Sequence, residues 1–246
     1  CISSAASDVY KRQPYSDEPH SHGLLFFKTA QMDAMMTKAM RKGYQVNVHA
    51  IGDAGNKQIL DIYKKELAAT KSEAQRHRIE HAQVVTPEDI PRFKSLGIIP
   101  SMQPTHATSD KNMAETRVGP ERIKGAYAWR SFLHQGSRIA CGSDFPVESP
   151  NPFFGIHAAV TRMDHAGQPV AGWYPNQAMS LKEAFRCFTL DAAYAGHQEN
   201  SLGSLEPGKH ADFIVIDRDL FRMPTYDIFK TGVLETWVGG KQVFKK

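Results

Sequence analysis

The sequence predicts an α/β fold: half of an eight-stranded βα barrel, built on a parallel sheet, followed by a small all-β segment. Three observations lead there. Strand-like and helix-like segments alternate from residue 23 to about residue 196, and such alternation makes a parallel sheet with covering helices. Only four strand–helix units can be counted, beginning at Tyr44, His77, Gly97 and Ser137, whereas a complete barrel of ~250 residues holds eight. From residue 200 to 246 the helical pattern is gone. An open doubly wound sheet is the rival, but no glycine-rich strand-to-helix turn offers a nucleotide seat.

The elements follow in order. From Thr29, Met32, Met35, Met36 and Met40 recur at helical spacing up to a stop at Gly43, a stripe expected to fill core. Tyr44–Ala50 alternates as a strand, and Asn56–Ala69 returns to helix. His77–His81 is a short strand, with His77 expected at the surface. Thr86-Pro87-Glu88-Asp89 starts a helix that ends before Gly97, with Pro in its first turn. Gly97–Gln103 is a third strand, weakened by Pro100. A long polar loop, Pro104–Val118, leads to a helix from Glu121 to His134.

Ser137–Asp144 is the fourth strand and its turn, and a helix covers Phe153–Arg162. After a Gly/Pro-rich loop, Ser180-Leu181-Lys182-Glu183 is a capping box opening a helix to about Ala195. Ala211–Asp217 reads as a buried strand. Gly239-Gly240 between Val233–Val238 and Gln242–Lys245 signals a hairpin. The domain expectation is therefore a tail over residues 1–13, a partial barrel over 14–199 and a β segment over 200–246. Four units cannot close a barrel, so sheet edges and apolar faces are expected to stand exposed.

Composition narrows the classes. The chain has 246 residues, 41% hydrophobic and 23% charged, the profile of a soluble globular protein. Thirty Lys and Arg against 26 Asp and Glu leave +4 without a basic block, which disfavours nucleic acid as partner. No apolar run reaches the roughly 18 residues that span a bilayer, so no membrane partner is expected. Cys1, Cys141 and Cys187 are too few and scattered for a disulfide framework or a cysteine-rich zinc site. Ser3–Gln13 matches a translation of the transposase-end adaptor of short-read sequencing libraries. The expectation is a non-native tail on a chain that lacks its original N-terminus.

The chemistry-bearing residues fall at strand ends. His49 ends the first strand, His81 the second and Asp144 the fourth, while Gln103 and His106 follow the third. In a βα barrel these ends open on the face where such enzymes keep their chemistry. Imidazoles at adjacent strand ends can share a zinc ion, and a nearby carboxylate can bind it or take a proton from its water. Each residue also has a plain structural reading, His49 as a satisfied strand histidine and Asp144 as a turn or cap residue. Three successive candidate ligands favour the metal. His20 and His22 follow no apolar strand and are assigned no role.

Val48-His49-Ala50-Ile51-Gly52-Asp53, Arg78-Ile79-Glu80-His81-Ala82-Gln83, Gln103-Pro104-Thr105-His106 and Gly142-Ser143-Asp144-Phe145-Pro146-Val147 resemble the C-terminal half of metal-dependent amidohydrolases. Together with Gly203–Asp212 and Val238-Gly239-Gly240-Lys241, they are most similar to amidohydrolase family 3, the YtcJ-like proteins. The resemblance runs from Pro14 to Lys246. It implies a distorted TIM-type barrel with a small β-sandwich, and C–N bond hydrolysis of a small amide-like substrate. It makes His49 and His81 metal ligands and Asp144 both ligand and general base. Gln103 and His106 become site-facing, substrate-binding residues.

The implied cofactor is a divalent metal, with zinc the expected ion, one or two of them in the intact parent. A homodimer is open for that parent, and a cytoplasmic location is favoured over others. The family's first-strand His-x-His pair and fourth-strand lysine have no counterpart before His49, so the polypeptide by itself is expected to be inactive. The alternatives are an ester or lactone hydrolase using the same water activation, and an inactive metal-binding remnant.

Overall fold

The parallel sheet is laid down by short strands that are each followed by a helix. A computed structural model describes residues 12–246. They fall into two units, one running to Met102 and joined by Ser109–Ile139, the other made of Gln103–Thr108 and Ala140–Lys246. The expected tail lies mostly outside the described residues. Of its last two, Arg12 pairs with Asp89 and donates its backbone N–H to Asp53 (3.3 Å). Gln13 offers its carbonyl to Arg122 Nη1 (3.1 Å).

The first unit begins α1 (Thr29–Arg41), β1 (Asn47–Ala50), α2 (Asp53–Thr70), β2 (Arg78–His81), α3 (Ile90–Leu96) and β3 (Ile99–Met102). β2 lies between β1 and β3, parallel to both, with Val48 opposite Ile79 and Ile79 opposite Pro100. On α2, Ile59, Leu60, Tyr63 and Leu67 form one inward stripe. Each such buried side chain contributes roughly 1.5–3 kcal/mol. Tyr63 Oη reaches the carbonyls of Val46 and Arg78 at 2.8 and 2.9 Å, tying the helix to the strand starts.

His77, expected at the surface, is buried instead. α2 covers the start of β2, so the ring stacks on Tyr63 with centroids 5.4 Å apart. Its Nδ1 accepts the Val46 N–H (3.0 Å) and its Nε2 pairs with Ser72 Oγ (3.1 Å). Burial holds its pKa below the usual histidine range.

The polar stretch expected as a loop is largely helical, as α4 (Pro104–Asp110) and α5 (Ala114–Arg122), with α6 (Trp129–His134) beyond. Pro104 needs no N–H donor at a helix start, and helix satisfies backbone groups that a long loop would leave open. The helix expected over Glu121–His134 is broken between Arg122 and Trp129, with a 3₁₀ turn at Ile123–Gly125, and α5 itself is kinked. Gly119 precedes Pro120 and leaves helical geometry at φ 79°, because a residue before proline is pushed out of the α region. Only half of the methionine stripe is core: Met36 and Met40 are buried, whereas Met35 is 46% exposed. Leu24, Leu25, Phe26 and Phe27 are also exposed. They border a cavity of about 790 Å³ that reaches Met36, Val48 and His49.

The second unit holds β4 (Ala140–Cys141), α7 (Pro152–Thr161), α8 (Leu181–Phe188), α9 (Leu190–Ala195), β5 (Phe213–Ile216), β6 (Val233–Val238) and β7 (Lys241–Lys245). Asn151 caps α7 by accepting the Phe153 N–H (3.0 Å). Ser180 and Glu183 form the capping box on α8. A disulfide, Cys141–Cys187, joins β4 to α8. The expected continuous helix is interrupted at Thr189, which has ψ −92°.

β5, β6 and β7 make an antiparallel sheet. A 3₁₀ helix, Thr225–Lys230, separates the first two strands. Gly239 and Gly240 have φ of 56° and 74°, the backbone that a tight type I′ hairpin requires. β5 is not buried as expected. Ile214 and Val215 are both exposed, because a three-stranded sheet covers neither of its own faces.

Candidate metal-binding and catalytic residues

In the first unit, β1 delivers His49 and β2 delivers His81. Alternation along β1 buries Val48 and Ala50 and leaves His49 exposed. The register pairs His49 with Glu80, and Ala50 with His81. Since residues paired across a ladder share a face, regular pleating would send the two imidazoles to opposite faces. They meet nonetheless, with ring centroids 4.3 Å apart and planes inclined at 70°.

The backbone explains the meeting. His81 has φ 73° and Ala82 φ 44°, so the chain leaves the pleat at the ligand itself and redirects its ring. Two non-glycine residues in the left-handed region cost ~1 kcal/mol or more each and persist only where the surroundings fix them. Val84 N–H donates to the Ile51 carbonyl (2.8 Å), Val85 N–H to Gly125 (2.9 Å), and Tyr127 N–H to Gln83 (2.8 Å). Glu80, the register partner of His49, has its carboxylate engaged by Arg78 Nε (2.9 Å).

The remaining predicted residues belong to the second unit. Gln103 follows β3 and is half-buried, and its carbonyl accepts the His106 N–H (3.1 Å). His106, in the first turn of α4, is buried. Its Nε2 stands 3.8 Å from Asp144 Oδ2, within ion-pair range but too far for a hydrogen bond. Asp144, three residues past β4, has φ 59°. Its carbonyl closes a turn with the Val147 N–H (2.8 Å), and its carboxylate is about one-third exposed, 37%.

The donor chemistry suits a metal. Two imidazoles close enough to reach one cation are a zinc-type donor pair. A buried histidine beside a partly exposed carboxylate offers a proton acceptor near a polar side chain. Sequence reasoning missed the buried amides next to the ligands, Asn56 and Gln83. The available signal was a polar residue on the apolar stripe of α2, where Asn56 precedes Ile59 and Leu60 by three and four positions.

Comparison with known proteins gives the class. The model of a family described as amidohydrolase matches residues 5–244, so the chain belongs to the amidohydrolase family. It is 37% identical to LONG AFTER FAR-RED 3 of Arabidopsis thaliana over 94% of this chain and 40% of that protein. It is 30% identical to YtcJ of Bacillus subtilis (strain 168), an inferred amidohydrolase, over 96% of this chain and 44% of that one.

Among solved structures, an uncharacterized metal-dependent hydrolase from Pyrococcus horikoshii OT3 is similar at TM-score 0.78 and 30% identity. That likeness covers 91% of this chain and 44% of the Pyrococcus chain. The chain thus spans less than half the length of each of these three relatives. No helix among the described residues is long and apolar enough to cross a membrane.

Proposed function

We propose that these residues form part of a metal-dependent hydrolase that cleaves an amide or cyclic-amide C–N bond in a small molecule. The observation that carries this reading is the His49–His81 ring pair, 4.3 Å apart at the ends of neighbouring parallel strands. His49 and His81 would hold a divalent ion, with zinc the choice that imidazole donors favour. Such an ion lowers the pKa of bound water and polarises a carbonyl.

The chain's own residues do the rest. Asp144 accepts the proton of the attacking water and passes it to the departing nitrogen as the C–N bond breaks. Its partial exposure leaves it accessible to substrate. His106 and Gln103 face the substrate and orient its polar groups. The chain covers 40% and 44% of two relatives, and nothing before His49 supplies a His-x-His pair on an apolar strand. We therefore propose that the 246 residues bind metal but do not turn over substrate unaided.

The test fuses residues 14–246 behind the N-terminal portion of YtcJ. The fusion and the unfused chain are assayed on N-acyl amino acids, formamides, cyclic amides, esters and lactones. Amide cleavage by the fusion, lost in Asp144→Asn and absent from the chain by itself, is the expected result. Cleavage confined to esters or lactones would replace the bond assignment. Turnover by the unfused chain would remove the proposal of dependence on further residues.

A further inference from the structure

We propose that two buried side-chain amides, Asn56 and Gln83, are positioning residues that set the spacing of the His49–His81 pair. The inference rests on the reading of that pair as metal ligands, and extends it to residues that touch neither ring's proposed ion.

Asn56 is fully buried, at 0% exposure, on the sheet-facing side of α2. A leucine there would extend the stripe of Ile59, Leu60 and Tyr63. Burying an amide is costly unless it is hydrogen-bonded, so its presence calls for a task. Its Nδ2 lies 2.9 Å from the Gly52 carbonyl and 3.0 Å from Ala50, with Ile51 at 3.3 Å and Val84 at 3.4 Å. An amide nitrogen has two hydrogens, so Gly52 and Ala50 take the principal bonds and the other two share them. Three of these carbonyls follow His49 directly, and the fourth lies three residues beyond His81. One side chain therefore gathers the chain leaving both ligand strands.

Gln83 holds the other side. It is buried two residues past His81, and its Nε2 donates to Tyr127 Oη (2.7 Å) and Asp110 Oδ2 (3.2 Å). Tyr127 Oη in turn donates to Asp110 Oδ2 (2.6 Å), and Tyr127 N–H donates to the Gln83 carbonyl (2.8 Å). The left-handed pair His81–Ala82 is thus trapped between the β2 ladder upstream and this network downstream. Strain at a ligand, fixed by buried polar partners on both sides, is the arrangement expected where a ring must be held in place. Without it, regular pleating would carry the His81 ring away from His49.

The test uses the whole chain and three variants: Asn56→Ala, Gln83→Leu and Tyr127→Phe, the last removing a single hydroxyl. Circular dichroism and melting report folding. Co²⁺ titration reports affinity and the visible ligand-field spectrum, and crystal structures of the metal-free proteins report ring spacing. Tyr127→Phe and Gln83→Leu should fold, bind Co²⁺ about 10–100-fold more weakly, show an altered spectrum, and separate the two rings. If Asn56→Ala does not fold, the other two decide. Folded variants with unchanged ring spacing and unchanged Co²⁺ binding would overturn the proposal. A parent chain that binds no Co²⁺ would refute the ligand reading instead, leaving the positioning role to be judged by ring spacing.

Discussion

His49 and His81 stand ring against ring, centroids 4.3 Å apart, although the strand register pairs His49 with Glu80. The departure from pleating is paid in backbone strain at His81 and Ala82. Ala82 is buried with φ 44°, a conformation that glycine adopts without penalty and β-branched residues resist. Ala82→Gly should leave stability unchanged or raise it by up to ~1 kcal/mol, while Ala82→Val should lower it by ~2 kcal/mol or more. Urea unfolding of the two variants checks the sign. Equal effects from both would show that the backbone there is unstrained.

The α8 cap makes a second expectation. Ser180 N–H and Oγ both reach Glu183 Oε2, at 2.7 and 2.8 Å, and Ser180 Oγ accepts the Glu183 N–H at 3.3 Å. Ser180→Ala should cost about 1 kcal/mol, and Ser180→Thr, which keeps the hydroxyl, should restore most of it. Thermal melts of both variants measure the loss and the recovery.

Acid should weaken the second unit through His157. This α7 residue is buried against the Phe229 ring, centroids 5.1 Å apart, with the His165 ring 5.5 Å away. Burial first, and then the nearby His165, push its pKa down from 6.5 to about 4, while Asp164 and Asp227 oppose the shift. The unfolded chain therefore takes up a proton at higher pH than the folded one does. His157's contribution is complete above pH 6.5 and declines as pH falls toward 4. After allowance for solvent screening the loss is roughly 2 kcal/mol. Unfolding free energies at pH 7, 5.5 and 4 should show this slope flattened in His157→Gln. An identical slope in that variant would assign the acid sensitivity elsewhere.

Much of the fold could be read from local punctuation. The Ser180–Glu183 box, the Gly239-Gly240 hairpin and the stripe on α2 each announce an element through residues a few positions apart. The strand-end positions of His49 and His81 were legible for the same reason, since each falls at or near the end of a short strand-like segment. Their convergence on one ion was expected from that placement, but the route to it was not legible: the strand register sets them on opposite faces, and only the left-handed turn at His81 and Ala82 reverses that. α4 and α5 were hidden by polar side chains, although their backbone gains from helix all the same. His77 and β5 failed in opposite directions: covering by α2 and lack of covering on a three-stranded sheet are tertiary facts that periodicity does not carry.

His49 and His81 are proposed to hold a metal ion together. Equilibrium dialysis of the whole chain against zinc, with metal and protein quantified on the same samples, tests it most directly beside His49→Ala and His81→Ala. The parent chain should bind zinc, and each variant should lose about 100-fold or more in affinity with circular dichroism unchanged. Zinc retained equally by the parent and both folded variants would contradict it.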